Sequence, residues 1–314
     1  MEKLLKHHLT NMQKWLQSRD YPYSDNADII ISDKTFDNGA LYGLEIPIVN
    51  SFNILQTTIK YLESYSLQCD RFNETRGSFL LSDSEIKDML GLCFEKKIGI
   101  TFALSARPEY DVKSSFYKSK FGLEQCRKLN NVDAIAYTLD EAVRLAELGC
   151  RGLIVYDDGV LSLLQRMRTE NTLPKDMYFK ASSHCMATNP FISQLLFNQG
   201  ANSVTTIHDA SLSVLAQTRQ LCKDLILDIP IDVYKDKGGY IRYNEIANIV
   251  RVSSPCILKV GASAQANPYD SINDKIIQNR VKRAYVAHEH LLRQLDESSK
   301  QAIPDNVKCL PNFH

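Results

Sequence analysis

Short apolar runs punctuate the chain at intervals of about 20 to 35 residues. They fall at Glu45–Val49, Gln68–Phe72, Ile98–Leu104, Val132–Tyr137, Gly152–Asp157, Met177–Ser182, Ser203–Ile207, Leu227–Tyr234 and Pro255–Val260. Most are followed by apolar residues at helical spacing. In LDEAVRLAELG, Asp140 and Glu141 favour a helix start and Gly149 its end. ASLSVLAQTRQLCK and DSEIKDMLGLCFEKK carry the same spacing behind Ser or Asp caps. Asn189-Pro190 reads as a helix start with Pro in its first turn.

Strands alternating with helices imply parallel pairing with covering helices. Eight such units close into a (β/α)8 TIM-like barrel. The runs number nine, so one is surplus, with Asp28–Ser32 or Val132–Tyr137 the region misread as barrel wall. An open doubly wound sheet competes, but no GxGxxG or GxxxxGK[ST] loop follows any strand. The expected organisation is a single barrel domain over 28–296, preceded by a helical extension over 1–27 and followed by a tail over 297–314. The extension places Leu4, Leu5, Leu9, Met12 and Leu16 on one side of a helix. Near the other end, KIIQNRVKRAYVAHEHLLRQLDE is a strongly amphipathic helix with a basic turn at Arg280, Lys282 and Arg283. Its apolar residues exceed one narrow stripe, and the excess admits a homodimer.

Composition narrows the partners. The 314 residues carry 37 acidic and 37 basic side chains, which removes the electrostatic argument for nucleic acid or a membrane surface. No run approaches the roughly 20 apolar residues of a spanning helix. The opening residues are too charged for a secretory signal, so a cytoplasmic protein is expected. Eight cysteines are scattered without a CxxC pair, which points to reduced, buried thiols.

The candidate chemistry sits where apolar runs end in ionisable groups, as the mouth of a parallel barrel requires. Those strand ends supply Glu45, Arg71, Arg107, Asp157, Lys180, His184, Asp209, Asp232, Tyr234 and Lys259. Lys180 in MYFKAS and Lys259 in CILKVG lie inside apolar runs. A lysine turned toward the helix layer would be poorly solvated, so both are expected to face inward. There they serve as fixed cations for a carboxylate or phosphate, or one forms a Schiff base. Asp157 and Asp232 divide into acid and base, hold a divalent metal with His184 or Glu45, or neutralise the two lysines. Lys180, Lys259, Asp157 and Asp232 are thus the catalytic candidates, expected to converge on one pocket. Arg71, Arg107, His184, Tyr234 and Arg242 are the candidate substrate contacts. Gly238-Gly239 reads as a positive-φ turn that folds Tyr240 and Arg242 over the mouth.

Several pieces, in order and spacing, resemble a known group: DRFNETRGSFLLSDSEI (70–86), RGLIVYDDGVL (151–161), FKASSHCMATNP with GANSVTTIHDASL (179–212), and IPIDVYKDKGGYIR with PCILKVG (229–261). Together they resemble the barrel domain of the collagenase-like U-32 peptidase family, in a branch lacking the cysteine cluster. The resemblance implies a barrel and a hydrolase of peptidase type, acting on a small anionic or peptide-like substrate. Two departures accompany it. The acidic R-E-L-like turn expected after the seventh strand reads His208-Asp209-Ala210, and YKDKGGYIR stands where the family places a histidine-glycine turn and cysteines after the eighth. No iron–sulfur cluster is therefore expected; without a phosphate loop no nucleotide is expected either, while a divalent metal is admitted. A barrel serving as a non-catalytic subunit or scaffold, and a Schiff-base aldolase or lyase, are the alternatives.

Overall fold

The computed structural model describes residues 9–104, 128–267, 270–295 and 301–313. Eight strands form a closed ring: β1 (Tyr42–Pro47), β2 (Arg71–Asn73), β3 (Gly99–Ala103), β4 (Gly152–Val155), β5 (Tyr178–Ala181), β6 (Ser203–Thr205), β7 (Ile226–Pro230) and β8 (Cys256–Lys259). Every neighbouring pair is parallel, and β8 closes on β1 with Glu45 opposite Lys259. The architecture is that of a TIM barrel, as the apolar pattern predicts.

Side chains alternate strictly along each strand. Leu44, Ile46, Phe72, Phe102, Phe179 and Leu258 belong to the large apolar cluster formed with the helices. The residues between them, among them Glu45, Arg71, Asn73, Lys180 and Lys259, therefore face the barrel axis. Strands this short are buried on both faces, so they read as continuous apolar runs with a polar residue only where the axis needs one.

The helix layer comprises α1 (Asn11–Gln17), α2 (Phe52–Ser64), α3 (Asp83–Lys96), α4 (Val132–Glu147), α5 (Asp158–Thr169), α6 (Pro190–Asn198), α7 (Leu212–Leu221), α8 (Ile246–Ser253), α9 (Asp274–Leu292) and α10 (Asp305–Lys308). Side-chain caps start many of them: Ser51, Ser82, Asn131, Asp157, Asn189, Ser211 and Asn273 each accept a first-turn amide. Pro190 occupies the first turn of α6 behind Asn189, as its sequence suggests.

The surplus strand is Val132–Tyr137. It is the opening of α4, capped by Asn131, and Asp140 and Glu141 lie inside that helix rather than at its start. A six-residue run is ambiguous alone. Its continuation settles the matter, since Ala134, Thr138, Ala142, Leu145 and Ala146 are the buried positions at helical spacing. Asp28–Ser32 is not a strand either; it runs past α8, with the Ser32 amide bonding the Arg251 carbonyl at 2.8 Å. Removing the extra count shifts two assignments. The His208-Asp209-Ala210 turn follows β6, and YKDKGGYIR follows β7.

The two flanking segments behave differently. Helix α1 buries none of its residues, and Leu4 and Leu5 lie outside the described residues. The tail instead enters the fold: Ile303, Val307 and Cys309 are buried with Tyr178, Ile257 and Phe36 beneath the barrel. Gly99 and Gly152 permit this approach, because a Cβ at either would collide with Lys308 or Cys309. On α9 the barrel absorbs Val281, Ala284, Ala287 and Leu291, while Leu292 stays exposed. Arg280, part of the basic turn seen in the sequence, is completely buried. Among the described residues no helix is long and apolar enough to cross a membrane.

Candidate active site at the barrel axis

A dry ionic layer crosses the barrel interior. Arg71 from β2 donates through Nε to Glu45 of β1 at 2.6 Å and through Nη2 to Asp228 of β7 at 2.6 Å. Lys180 from β5 reaches across to Glu45 at 2.5 Å and lies 3.6 Å from Asp228. Asn73 and Ser203 complete the carboxylates' hydrogen bonding, donating to Glu45 and Asp228 respectively at 2.5 Å. Thr101 in turn donates to the Asn73 side-chain oxygen. All four charged groups are 0–1% exposed.

Such a layer persists because each charge has an opposite partner within hydrogen-bond distance. Burial alone pushes the Glu45 carboxyl up, but Lys180, Arg71 and Lys259 outweigh it and hold the group well below the usual carboxylate range. The Arg71 guanidinium pays the same desolvation penalty, and Glu45 with Asp228 hold it firmly charged. Glu45 is thus a fixed anion rather than a proton donor. Arg71 is also tied downward, since its Nη1 donates to the Val307 carbonyl of the tail at 3.1 Å.

Lys259 is in register with Glu45 and is half-buried, unlike the dry groups beside it. It is the cation of this set that reaches solvent. Lys180 and Lys259 therefore share the axial face and both act on Glu45.

The two aspartates named with them do other work. Asp157 caps α5: one carboxylate oxygen accepts from Val160 at 3.1 Å and the other from the Leu129 amide at 2.9 Å. Asp232, past the end of β7, accepts from the amides of Gly261 at 2.7 Å, Ala262 at 3.1 Å and Ser263 at 3.3 Å, and from the Ser263 hydroxyl. It thereby fixes the turn that directly follows Lys259. Burial pushes the Asp232 carboxyl up, against the pull of those hydrogen bonds.

The substrate-contact candidates are dispersed. Arg71 belongs to the ionic layer; Arg107 lies outside the described residues. His184 stands edge-on to Tyr156 at 5.6 Å, beyond the end of β5. Tyr234 packs with Ile48 and Ala262. Arg242 is held against Glu245 at 2.5 Å on the hairpin after β7. The glycine pair in that hairpin has positive φ at both positions, +98° and +62°, as expected of a tight turn there.

Arg280 closes the far side of the mouth. Its Nη1 donates to the Ile48 carbonyl at 3.0 Å and its Nη2 to Gln265. Ile48 has φ of +67°, a left-handed conformation costly for a β-branched residue. Arg280 thus clamps a strained corner at the exit of β1.

No combination of Asp157, Asp232, His184 and Glu45 forms a metal set: among the described residues no three His, Cys, Asp or Glu side chains cluster suitably. The seven described cysteines are free thiols and all are buried. Asp228, Asn73 and Ser203 were absent from the sequence candidates. The available signal was alternation, because Asp228 is in phase with Pro230 on one face of β7, two residues before Asp232.

No family model matches the chain, and no curated protein matches it. Solved structures do resemble it in shape. Native KDPGal matches with 10% identity and a TM-score of 0.46, over 83% of this chain and 98% of the other. The YdjI aldolase from Escherichia coli K12 matches with 12% identity and a TM-score of 0.43, over 93% and 100%. A U32 peptidase matches with 13% identity and a TM-score of 0.41, over 70% and 78%. Likenesses this distant add nothing to the barrel architecture already evident from the strand pairing.

Proposed function

We propose that the chain is an enzyme that binds a small anionic or peptide-like substrate at the C-terminal mouth of the barrel. In this reading Lys259 meets the substrate's anionic group. Lys180 and Arg71, locked by Glu45 and Asp228, form the charged floor beneath it. The observation that carries the reading is the ionic layer itself. Four fully buried ionisable side chains across one axis are costly in a scaffold, whereas a preorganised field is what a barrel reaction uses. Asp232 acts as a positioning residue, holding the turn after Lys259. Asp157 has the same standing for the start of α5. The sequence pieces that resemble the U-32 peptidases support a hydrolytic reaction on a peptide-like substrate.

A second reading, a lyase acting through a lysine Schiff base, is favoured by one observation. Lys259 is an amine at the solvent edge of a cluster that already holds two other cations, the setting that makes a lysine nucleophilic.

The test is a thermal-shift screen of small carboxylates and dipeptides with the intact chain and with Lys259→Met. A ligand of the site stabilises the native state by mass action, by about 2.7 kcal/mol at a hundredfold excess over Kd. It is expected to raise Tm in the parent and not in the variant. A panel that shifts neither protein, or both equally, overturns the assignment. Borohydride with 2-oxo acids separates the readings: a covalent adduct mapped to Lys259 supports the lyase, and its absence removes that reading.

A further inference from the structure

A cleft of about 630 Å³, sharing no lining residue with the axial layer, lies between the turn after β6 and the hairpin after β7. We propose that it binds a free α-amino acid, with the carboxylate on Arg242 and Tyr240 and the ammonium on Asp209. The proposal concerns a site separate from the axial layer and does not rest on the function proposed above.

Unsatisfied donors come first. Arg242 is only 8% exposed and lines the cleft; its Nε is taken by Glu245, but its buried Nη1 has no hydrogen-bond partner among the described residues. The buried Tyr240 hydroxyl, on the same wall, likewise has none. A buried donor left unmade costs about 1 to 3 kcal/mol, so two on one wall call for an acceptor that the described residues do not supply. The amides at the start of α7 reinforce this: Ser211 caps the helix, and Leu212 and Ser213 line the cleft. Burial, with Asp209 nearby, pushes the Tyr240 phenol up, which keeps it a donor.

Charge then selects the ligand. One arginine faces two carboxylates, Asp209 and Glu245, in the lining. A simple anion such as phosphate would sit beside both carboxylates, and a simple amine would leave the guanidinium and phenol unmet. A molecule carrying a carboxylate and an ammonium on one carbon satisfies both sides. Ile29 and Leu212 supply apolar surface for its side chain. The wall that bears the donors is held in place, because Arg242 and Tyr240 follow the two positive-φ glycines and flank Ile241, which bridges to Asp232.

Isothermal titration of the full chain with L-leucine tests this, with 3-methylbutylamine, 4-methylpentanoate and inorganic phosphate as the half-matched probes. Leucine is expected to bind about tenfold or more tightly than any of them, a difference of about 1.4 kcal/mol or more. Because Arg242 also anchors the hairpin through Glu245, the deciding variants are Tyr240→Phe and the exposed Asp209→Asn. Each is expected to weaken leucine binding several-fold without lowering the parent's thermal midpoint, and Lys259→Met is expected to leave leucine binding unchanged. No leucine binding, equal binding of a half-matched probe, preference for phosphate, or unaltered affinity in both deciding variants overturns the proposal. Loss of leucine binding in Lys259→Met would also overturn it, by moving the ligand to the axis.

Discussion

The two ends of this barrel are built on opposite principles. The N-terminal end is closed by the chain's own tail, where Ile303, Val307 and Cys309 pack on Tyr178 and Ile257. The C-terminal end is polar and partly strained: a left-handed Ile48 held by a buried Arg280, an Asp232 that ties down the turn after β8, and Lys259 at the edge of solvent. Between them lies the ionic layer, joined to the apolar plug below through the Val307 carbonyl on Arg71. The contrast separates what keeps the barrel shut from what makes it reactive. A plug sheds water from underneath the charges, so their pairing is strong, and the mouth can then give up packing for chemistry.

The largest test of this contrast removes the plug. Deleting residues 301–314 removes the buried Ile303 and Val307 and uncovers Tyr178 and Ile257, a loss of apolar burial worth about 3 to 6 kcal/mol. It also frees an Arg71 donor. Urea unfolding is expected to show a loss of that size or an uncooperative transition, and an unchanged midpoint would mean the tail is ornamental.

Arg71→Met attacks the layer itself. It leaves Glu45 and Asp228 buried without their shared guanidinium and is expected to cost about 3 to 5 kcal/mol. The exposed pair Lys96–Glu63 lies at 2.8 Å, yet Lys96→Ala is expected to leave the unfolding midpoint nearly unmoved. Equal losses from the two substitutions would refute the dry-layer picture.

Acid separates the interior from the mouth by sign. Cations outweigh burial at Glu45 and hold its folded-state value below the ordinary 4.5. Its stabilising contribution is therefore complete above that ordinary value and is lost as the pH falls below it. Burial holds Asp232 above its ordinary 3.8, so its contribution is complete below that value and is lost as the pH rises through the folded one. Stability measured by urea unfolding between about pH 3 and 6 is expected to show a shallower acid slope in Glu45→Gln. Asp232→Asn is expected to steepen it. Parallel changes in the two variants would contradict the assignment.

Much of this architecture was legible along the chain. The alternation of short apolar runs with capped helices specifies parallel units, because buried parallel strands and amphipathic helices have distinct periods. The failure at Val132–Tyr137 shows the limit of that signal: a run shorter than two helical turns has no period of its own, and only its continuation into α4 identifies it. The inward orientation of Lys180 and Lys259 was equally readable, since an apolar strand has only two faces and one of them is covered by helices.

The partners of those lysines were not readable. Asp157 and Asp232 look like catalytic carboxylates because they end apolar runs, but a strand end is also where the next turn needs an acceptor, and both are spent on backbone amides. Glu45 meets Lys180 across 135 positions of sequence because β1 and β5 lie opposite one another in the closed ring. Asp228 joins them from β7 through Arg71. Sequence fixes which face of a strand a residue occupies, through a local two-residue repeat. Which residues share a layer depends on how the strands are staggered around the ring, and that stagger exists only once β8 has paired with β1.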